Sequence, residues 1–217
     1  ISSGQLFVEA KILTAEIITE QSTVDDGIAS LLKYKNLSPN DKLQFLKAKT
    51  SLLYNNNRQQ DAFDLMKGED SNFDNSAEFK FDYAMLAEKM GNLLLMEQLL
   101  KEAIKIKPDY AYAYNALGYS YADRNIKLVD AKKYIEIALS ISPNKHYIMD
   151  SMGWLHFRMG NIKIALQFIE KAYKIQKDPE IAAHLGEILW KMGKLKQAKK
   201  VWEESIKTYP VSYTHLR

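Results

Sequence analysis

Residues 114–121 read YNALGYSY, and the pattern that begins there decides the fold. The pair Leu117-Gly118 recurs as Met152-Gly153 and again as Leu185-Gly186, with glycine spacings of 35 and 33. Each pair is followed after 12 or 13 residues by a small residue and, four further on, an apolar one: Ala131 and Ile135, Ala165 and Ile169, Ala198 and Trp202. A period near 34 suits two short helices joined by a turn and stacked on copies of themselves. Gly118, Gly153 and Gly186 let the two helices of one unit approach closely, and Ala131, Ala165 and Ala198 do the same from the second helix. Gly160 and Gly193 fall in the turn, where a left-handed backbone is needed. Pro143 and Pro210 end the second helix, since proline cannot continue its hydrogen-bond ladder. Tyr121 to Ala131 is ten residues where the other units have nine, so the turn at Arg124-Asn125 carries one extra residue.

The phase extends backwards. Ala84, Gly91, Met96, Ala103 and Pro108 match a unit over about 77–108, while Asn57 and Ala62 match the turn and second helix of one before it. Ala15, Ile18, Gly27, Leu31 and Pro39 stand in phase for a first unit. Six repeats are expected, over about 7–40, 41–76, 77–110, 111–145, 146–178 and 179–212, in one array spanning 1–212. Gly68 to Ser76 (GEDSNFDNS) reads as a longer polar connection, and 213–217 as a non-repeat tail of extraneous sequence.

The unit Tyr114-x-x-Leu117-Gly118-x-x-Tyr121, Ala131-x-x-x-Ile135, Pro143 resembles the tetratricopeptide repeat (TPR), with Tyr for Trp and Ile for Phe. That resemblance implies an all-α fold, a right-handed TPR superhelix of about six helix–turn–helix repeats. The stretches MDSMGWLHFRMG (149–160) and DPEIAAHLGEILWKMGKLKQAKKVW (178–202) are similar to the carboxy-terminal repeats of Gram-negative outer-membrane TPR lipoproteins that face the periplasm. Some members of that group are adaptors that bring cell-wall hydrolases to a carboxyl-terminal processing protease. The resemblance implies a periplasmic, outer-membrane-associated protein whose lipid-bearing cysteine lies upstream of Ile1; a cytoplasmic location is the alternative. The chain starts with Ile rather than Met, so a fragment or processed form is expected, with any targeting signal upstream.

Composition agrees with this and closes other routes. Of 217 residues only 9 are Gly and 5 Pro, about half the usual share of roughly 12%, which disfavours hairpin-rich β folds. Hydrophobic content of 47% and charged content of 26% are those of a folded globular chain. With Cys 0 there is no disulfide, zinc finger, iron–sulfur cluster or cysteine nucleophile within these residues. The net charge of +3 hides a division: residues 1–100 hold 10 Lys/Arg against 15 Asp/Glu, and residues 101–217 hold 20 against 12. The lysines are scattered through helical patterns, so solvated helix faces account for them and no nucleic-acid partner is expected. No apolar run approaches the ~18 residues of a membrane span.

Catalytic patterns are missing. His146, His156, His184 and His215 make no i,i+4 pair, and His156 takes a packing position usually held by Tyr. No phosphate-binding loop follows a strand. Ser30-x-x-Lys33 lacks the partner motifs of a serine nucleophile, and Asn36-Leu37-Ser38 is a lone sequon. No enzyme, cofactor or metal is expected, and a protein or peptide partner takes their place.

Family geometry points repeat positions two, five, nine, twelve and thirteen into a concave groove. By phase these are Tyr112, Asn115, Tyr119 and Asp123 in the fourth unit, and Tyr147, Asp150, Trp154, Phe157 and Arg158 in the fifth. The sixth offers Glu180, Ala183, Glu187, Trp190 and Lys191 with His184 beside them, and the third offers Glu78, Phe81, Met85 and Lys89. Tyr112, Tyr119 and Tyr147 have two readings, open in the groove or packed between repeats. Trp154 is expected in the groove, because Met152 and Leu155 already supply the core face, whereas Trp202 is expected in the core. Asp150, Glu180 and Glu187 beside Arg158 and Lys191 do not match the Lys/Asn/Arg clamp by which some TPR proteins hold a terminal carboxylate. They suit a peptide or partner helix better than a polyanion. The expected function is therefore a non-catalytic scaffold or adaptor; the alternatives are the TPR arm of a larger enzyme, or self-assembly through an exposed repeat end.

Overall fold

A computed structural model describes residues 3–209, with side chains from Leu6 onward. The proposed helix stop at Pro210, the 213–217 tail and Ile1 lie outside the described residues. The described chain is all helix, without a strand, and divides into two compact units at Ile106/Lys107.

The first unit holds α1 (Ser3–Gln21), α2 (Val24–Leu32), α3 (Pro39–Asn55), α4 (Gln59–Glu69), a 3-10 turn (Asp70–Phe73), α5 (Ala77–Lys89) and α6 (Leu93–Ile106). The second holds α7 (Ala111–Asp123), α8 (Leu128–Ile141), α9 (His146–Arg158), α10 (Ile162–Ile175), α11 (Pro179–Lys191) and α12 (Leu195–Thr208). Consecutive helices pair as hairpins, α1 with α2 through to α11 with α12. Within the second unit α7 also packs on α9 and α9 on α11.

Five hairpin turns share one hydrogen-bond solution. A left-handed residue (Asn57, Gly91, Asn125, Gly160 or Gly193) follows the first helix. The next amide donates five residues back: Arg58 to Leu53 O, Asn92 to Ala87 O, Ile126 to Tyr121 O, Asn161 to His156 O and Lys194 to Leu189 O, all at 2.8–2.9 Å. This double closure satisfies carbonyls that a helix end leaves orphaned. The extra residue of the α7–α8 turn is absorbed by a second left-handed residue, Lys127 (φ 44). Its ammonium is held 3.3 Å from the Tyr121 hydroxyl and over that ring.

Close approach of paired helices is visible at the repeat glycines. A Cβ on Gly118 would come within 2.6 Å of Ile135, and one on Gly153 within 2.5 Å of Ile169. One on Gly186 would run into the Trp202 indole. Trp202, expected in the core, is only half-buried: its ring edge fills the Gly186 notch and its N–H donates to Ala183 O at 3.4 Å. His156 is half-buried and stacks on Phe168 at 5.9 Å. Burial holds its pKa below the ordinary histidine value, with Lys132 acting in the same sense.

The first unit departs from the sequence reading in two places. Pro39, placed in phase at the end of a unit, opens α3 instead: Ser38 caps that helix by accepting from Asp41 N at 3.2 Å, and proline needs no amide partner in a first turn. The stretch Gly68 to Ser76, expected as a polar connection, is helical through Glu69 and then forms the 3-10 turn. Phe73 of that turn stacks on Phe79 at 5.1 Å. Lys80, only 3% exposed, reaches Asp70 at 2.7 Å, Glu102 at 3.0 Å and Asp74 at 3.7 Å. Burial pulls the Lys80 pKa down, but its bonds to Asp70 and Glu102 outweigh that and leave it raised.

Candidate partner-binding face

In the second unit the first helices of three hairpins, α7, α9 and α11, bring most of the expected groove residues together. His184 stands at the centre, 7% exposed. Its Nδ1 lies 2.9 and 3.0 Å from the two carboxylate oxygens of Asp150, itself 4% exposed. The Trp154 ring stacks on the imidazole at 4.2 Å and 16°, and its other neighbour is Phe157 at 5.1 Å. The indole N–H donates to Asp123 Oδ1 at 3.2 Å. Arg158 lies over the indole and donates to the Asp123 carbonyl at 3.0 Å. Tyr119 donates its hydroxyl proton to Glu180 Oε1 at 2.6 Å, bridging α7 to α11, with His184 Nε2 at 3.5 Å.

Burial lowers the affinity of His184 for a proton, yet the Asp150 bond and the charges of Asp150, Glu180 and Asp123 more than offset it, so its pKa is raised. The Tyr119 phenol is pushed far up, first by burial and then by Glu180. An imidazole on a buried carboxylate, closed by a stacked indole, makes a rigid support, because His184, Asp150 and the Trp154 N–H each have a polar partner. Trp154, expected open in the groove, is 5% exposed. The correction has a simple cause: His184 and Phe157 cover its ring, and Asp123 ties down its N–H. Asp150, expected as a groove carboxylate, is likewise consumed by His184.

The remaining residues separate into two sets. Tyr112, 48% exposed, stacks on half-buried Tyr147 at 5.4 Å and 11°, next to Tyr110. Tyr147 has a raised pKa, from burial and then its bond with Tyr112. One turn along α7, the Asn115 carboxamide oxygen is buried with no hydrogen-bond donor among the described residues. Glu187, Trp190 and Lys191 form an exposed run on α11, with Trp190 54% exposed and its ring 6.0 Å from Trp202. Glu180 is also exposed, Arg158 half-buried, and Ala183 half-buried under the Trp202 bond. In the first unit Met85 and Lys89 line a cleft, Glu78 is exposed and Phe81 half-buried.

Sequence places His184 only beside the groove. The signal that could have found it is spacing: Asp150 and His184 are 34 residues apart, one repeat, on first helices that pack side by side. The first helices α7, α9 and α11 carry Asp123, Asp150, Glu180 and Glu187 against Arg158 and Lys191. Among the described residues no group of His, Cys, Asp and Glu is placed to hold a metal ion, and no helix is long and apolar enough to cross a membrane.

Known proteins share this architecture. The Tetratricopeptide repeat family matches residues 77–110, 147–179 and 179–211. The TPR repeat-containing protein PA4667 of Pseudomonas aeruginosa is 31% identical over 187 residues, 86% of this chain. The chain spans about a third (32%) of that relative's length. TTC0263, a thermophilic TPR protein of Thermus thermophilus, superposes with a TM-score of 0.70 at 19% identity, over 79% of this chain and 93% of its own. A tetratricopeptide repeat protein of Parabacteroides merdae gives 0.71 at 14%, over 93% and 79%. Residues 77–110 and 147–211 therefore match tetratricopeptide repeats, and the all-α fold is that of TPR proteins, an architecture that typically serves as a protein-interaction scaffold.

Proposed function

We propose that the protein is a non-catalytic scaffold or adaptor that binds a peptide or protein partner along α7, α9 and α11 of the second unit. The observation that carries this reading is the rigid Asp150–His184–Trp154 support, flanked by the exposed side chains of Tyr112, Glu180, Glu187, Trp190 and Lys191. Aromatic rings with polar tips on a pre-ordered backbone give contact area at small entropy loss. Four carboxylates on these helices against Arg158 and Lys191 favour a partner segment with positive charge. In its narrower form the protein is a periplasmic adaptor, outer-membrane-associated, serving a protease or cell-wall enzyme. Support for that form is the similarity of 149–160 and 178–202 to the lipoprotein group.

Photo-crosslinking in cells tests the face. A benzoylphenylalanine at Tyr112, Glu187 or Trp190 should capture a discrete partner, while one at Lys199 on α12 should not. Capture from Lys199 alone would overturn the assignment. Fractionation of the same cells tests the compartment: recovery in the cytosol would sink the periplasmic form. A second reading, a non-catalytic arm of a larger protein, is supported by the length of PA4667, of which this chain spans about a third. A catalytic domain in the full open reading frame would favour it.

A further inference from the structure

The hairpin turns of the second unit carry exposed aliphatic side chains that neither the core nor the proposed partner-binding face uses. The turns and the helix ends beside them are 123–130 between α7 and α8, 158–164 between α9 and α10, and 191–197 between α11 and α12. They lie along one edge. Arg158 donates to the Asp123 carbonyl across the first two, and Phe157, Ile162 and Met192 join one apolar cluster across the second and third. Ile126, Val129, Met159, Ile164 and Leu195 stand exposed on this edge, Val129 at 81%. The same three segments hold seven Lys/Arg against two Asp, whereas the loops of the opposite edge, 107–110, 142–145 and 176–178, hold three against two. Lysine and aliphatic residues are interleaved: Ile126-Lys127, Lys163-Ile164 and Lys194-Leu195-Lys196. Lys163, Lys194 and Lys196 are exposed and have no ion pair among the described residues. Lys127 is held on the Tyr121 ring and adds its charge from there.

We propose that this edge docks the second unit on a bilayer surface that carries anionic phospholipid. The ammonium groups meet lipid phosphates, and the aliphatic tips enter the boundary between headgroups and acyl chains. Lysine suits that boundary, since its stem lies along apolar surface while its charge stays with the phosphates. Neither feature decides alone, because scattered lysines form solvated faces and single exposed aliphatic residues are ordinary. Their interleaving on three neighbouring turns is what matches a lipid, which offers an anion and an apolar layer side by side. A nucleic acid supplies phosphates but no place for Val129 or Leu195, and the three segments hold no Phe, Tyr or Trp on which a base could stack. A second copy of the same edge would bring like charges together. A headgroup layer also yields to side chains of unequal height, so it needs no complementary pocket. Lys163, Lys194 and Lys196 lie outside the residues assigned to the α7, α9 and α11 face, so either proposal can fail without the other.

Flotation of the whole chain with vesicles tests this, comparing phosphatidylcholine alone with an equal mixture of phosphatidylcholine and phosphatidylglycerol. Binding to the mixed vesicles is expected, weakening as salt is raised, with little on phosphatidylcholine alone. Lys163→Gln, Lys194→Gln and Lys196→Gln combined should weaken it about a hundredfold, at about fivefold per lysine near the surface. Lys171→Gln, Lys174→Gln and Lys177→Gln combined remove the same charge at the other end of α10 and should weaken it about twofold at most. Val129→Ser with Leu195→Ser, at constant charge, should cost about tenfold. No binding to the mixed vesicles, equal binding to both vesicle types, equal loss from the two lysine triples, or full binding in the serine variant overturns the proposal. So does a labelled DNA duplex that binds where mixed vesicles do not, or self-association of the lipid-free chain that the serine variant abolishes. Should the serine variant fail to fold by circular dichroism, the two lysine triples still decide.

Discussion

The two units solve one problem, burying polar groups inside a helical hairpin stack, in different ways. In the second unit the buried polar atoms sit on the first helices and pair across hairpins, His184 with Asp150 and Tyr119 with Glu180. In the first unit the buried charge is Lys80, which looks sideways to Asp70 and Glu102 and fastens a 3-10 turn. The arrangement in the second unit holds the side chains of the proposed partner-binding face in place. The first secures an irregular connection. A repeat architecture thus leaves the location of its polar anchors free, provided each anchor is satisfied.

Asp150→Ala should separate the units most sharply. It strands a buried imidazole, and breaking such a pair costs about 3–5 kcal/mol. All three tryptophans, Trp154, Trp190 and Trp202, lie in the second unit, so indole fluorescence reports its melting alone. The fluorescence midpoint should fall strongly, and an unchanged midpoint would refute the anchoring role. Lys80→Ala should act on the first unit with a loss of about 1–3 kcal/mol, smaller because its carboxylate partners are partly solvated. Hydrogen exchange should show the loss in α5 and the 70–73 turn, leaving α9 and α11 protected.

The glycines make a paired test. Gly153→Ala drives a methyl to within 2.5 Å of Ile169 and should destabilise by about 1–3 kcal/mol. Gly68→Ala meets nothing within 4 Å near the end of α4 and should stabilise by about 0.5–1 kcal/mol. Opposite signs by denaturant titration are required.

The pH response is the smallest expected effect. His184 binds its proton more tightly folded than unfolded, so its contribution is fully present below about pH 6.5 and is lost as pH rises through the folded-state value. Lys80 has a raised pKa too, and its contribution persists to the ordinary lysine range near pH 10.4. Between those limits the fluorescence midpoint of the second unit should decline with pH while exchange protection around Lys80 holds. Asp150→Asn should flatten the decline. A slope that survives in that variant would assign the effect to another group.

Much of this is legible in the chain. Gly118, Gly153 and Gly186 announce close helix contact, and Asn57 and Asn125 announce left-handed turns, because those constraints act within one hairpin and restrict which residues are tolerated. The role of Pro39 is not legible from phase alone, since proline both follows helices and begins them, and only the Ser38 cap separates the two. The burial of Trp154 escapes the sequence for a deeper reason. Its covering partner His184 is 30 positions away in sequence, and no local pattern states that the two rings will stack.

What the sequence by itself determined is the repeating helical hairpin and its turns, set by small residues at a period near 34 and by backbone sterics. Only the tertiary structure decided which of the expected groove residues became support and which stayed open, and how Lys80 was satisfied. Those outcomes depend on side chains brought together from different helices, where burial and electrostatic balance are settled by packing.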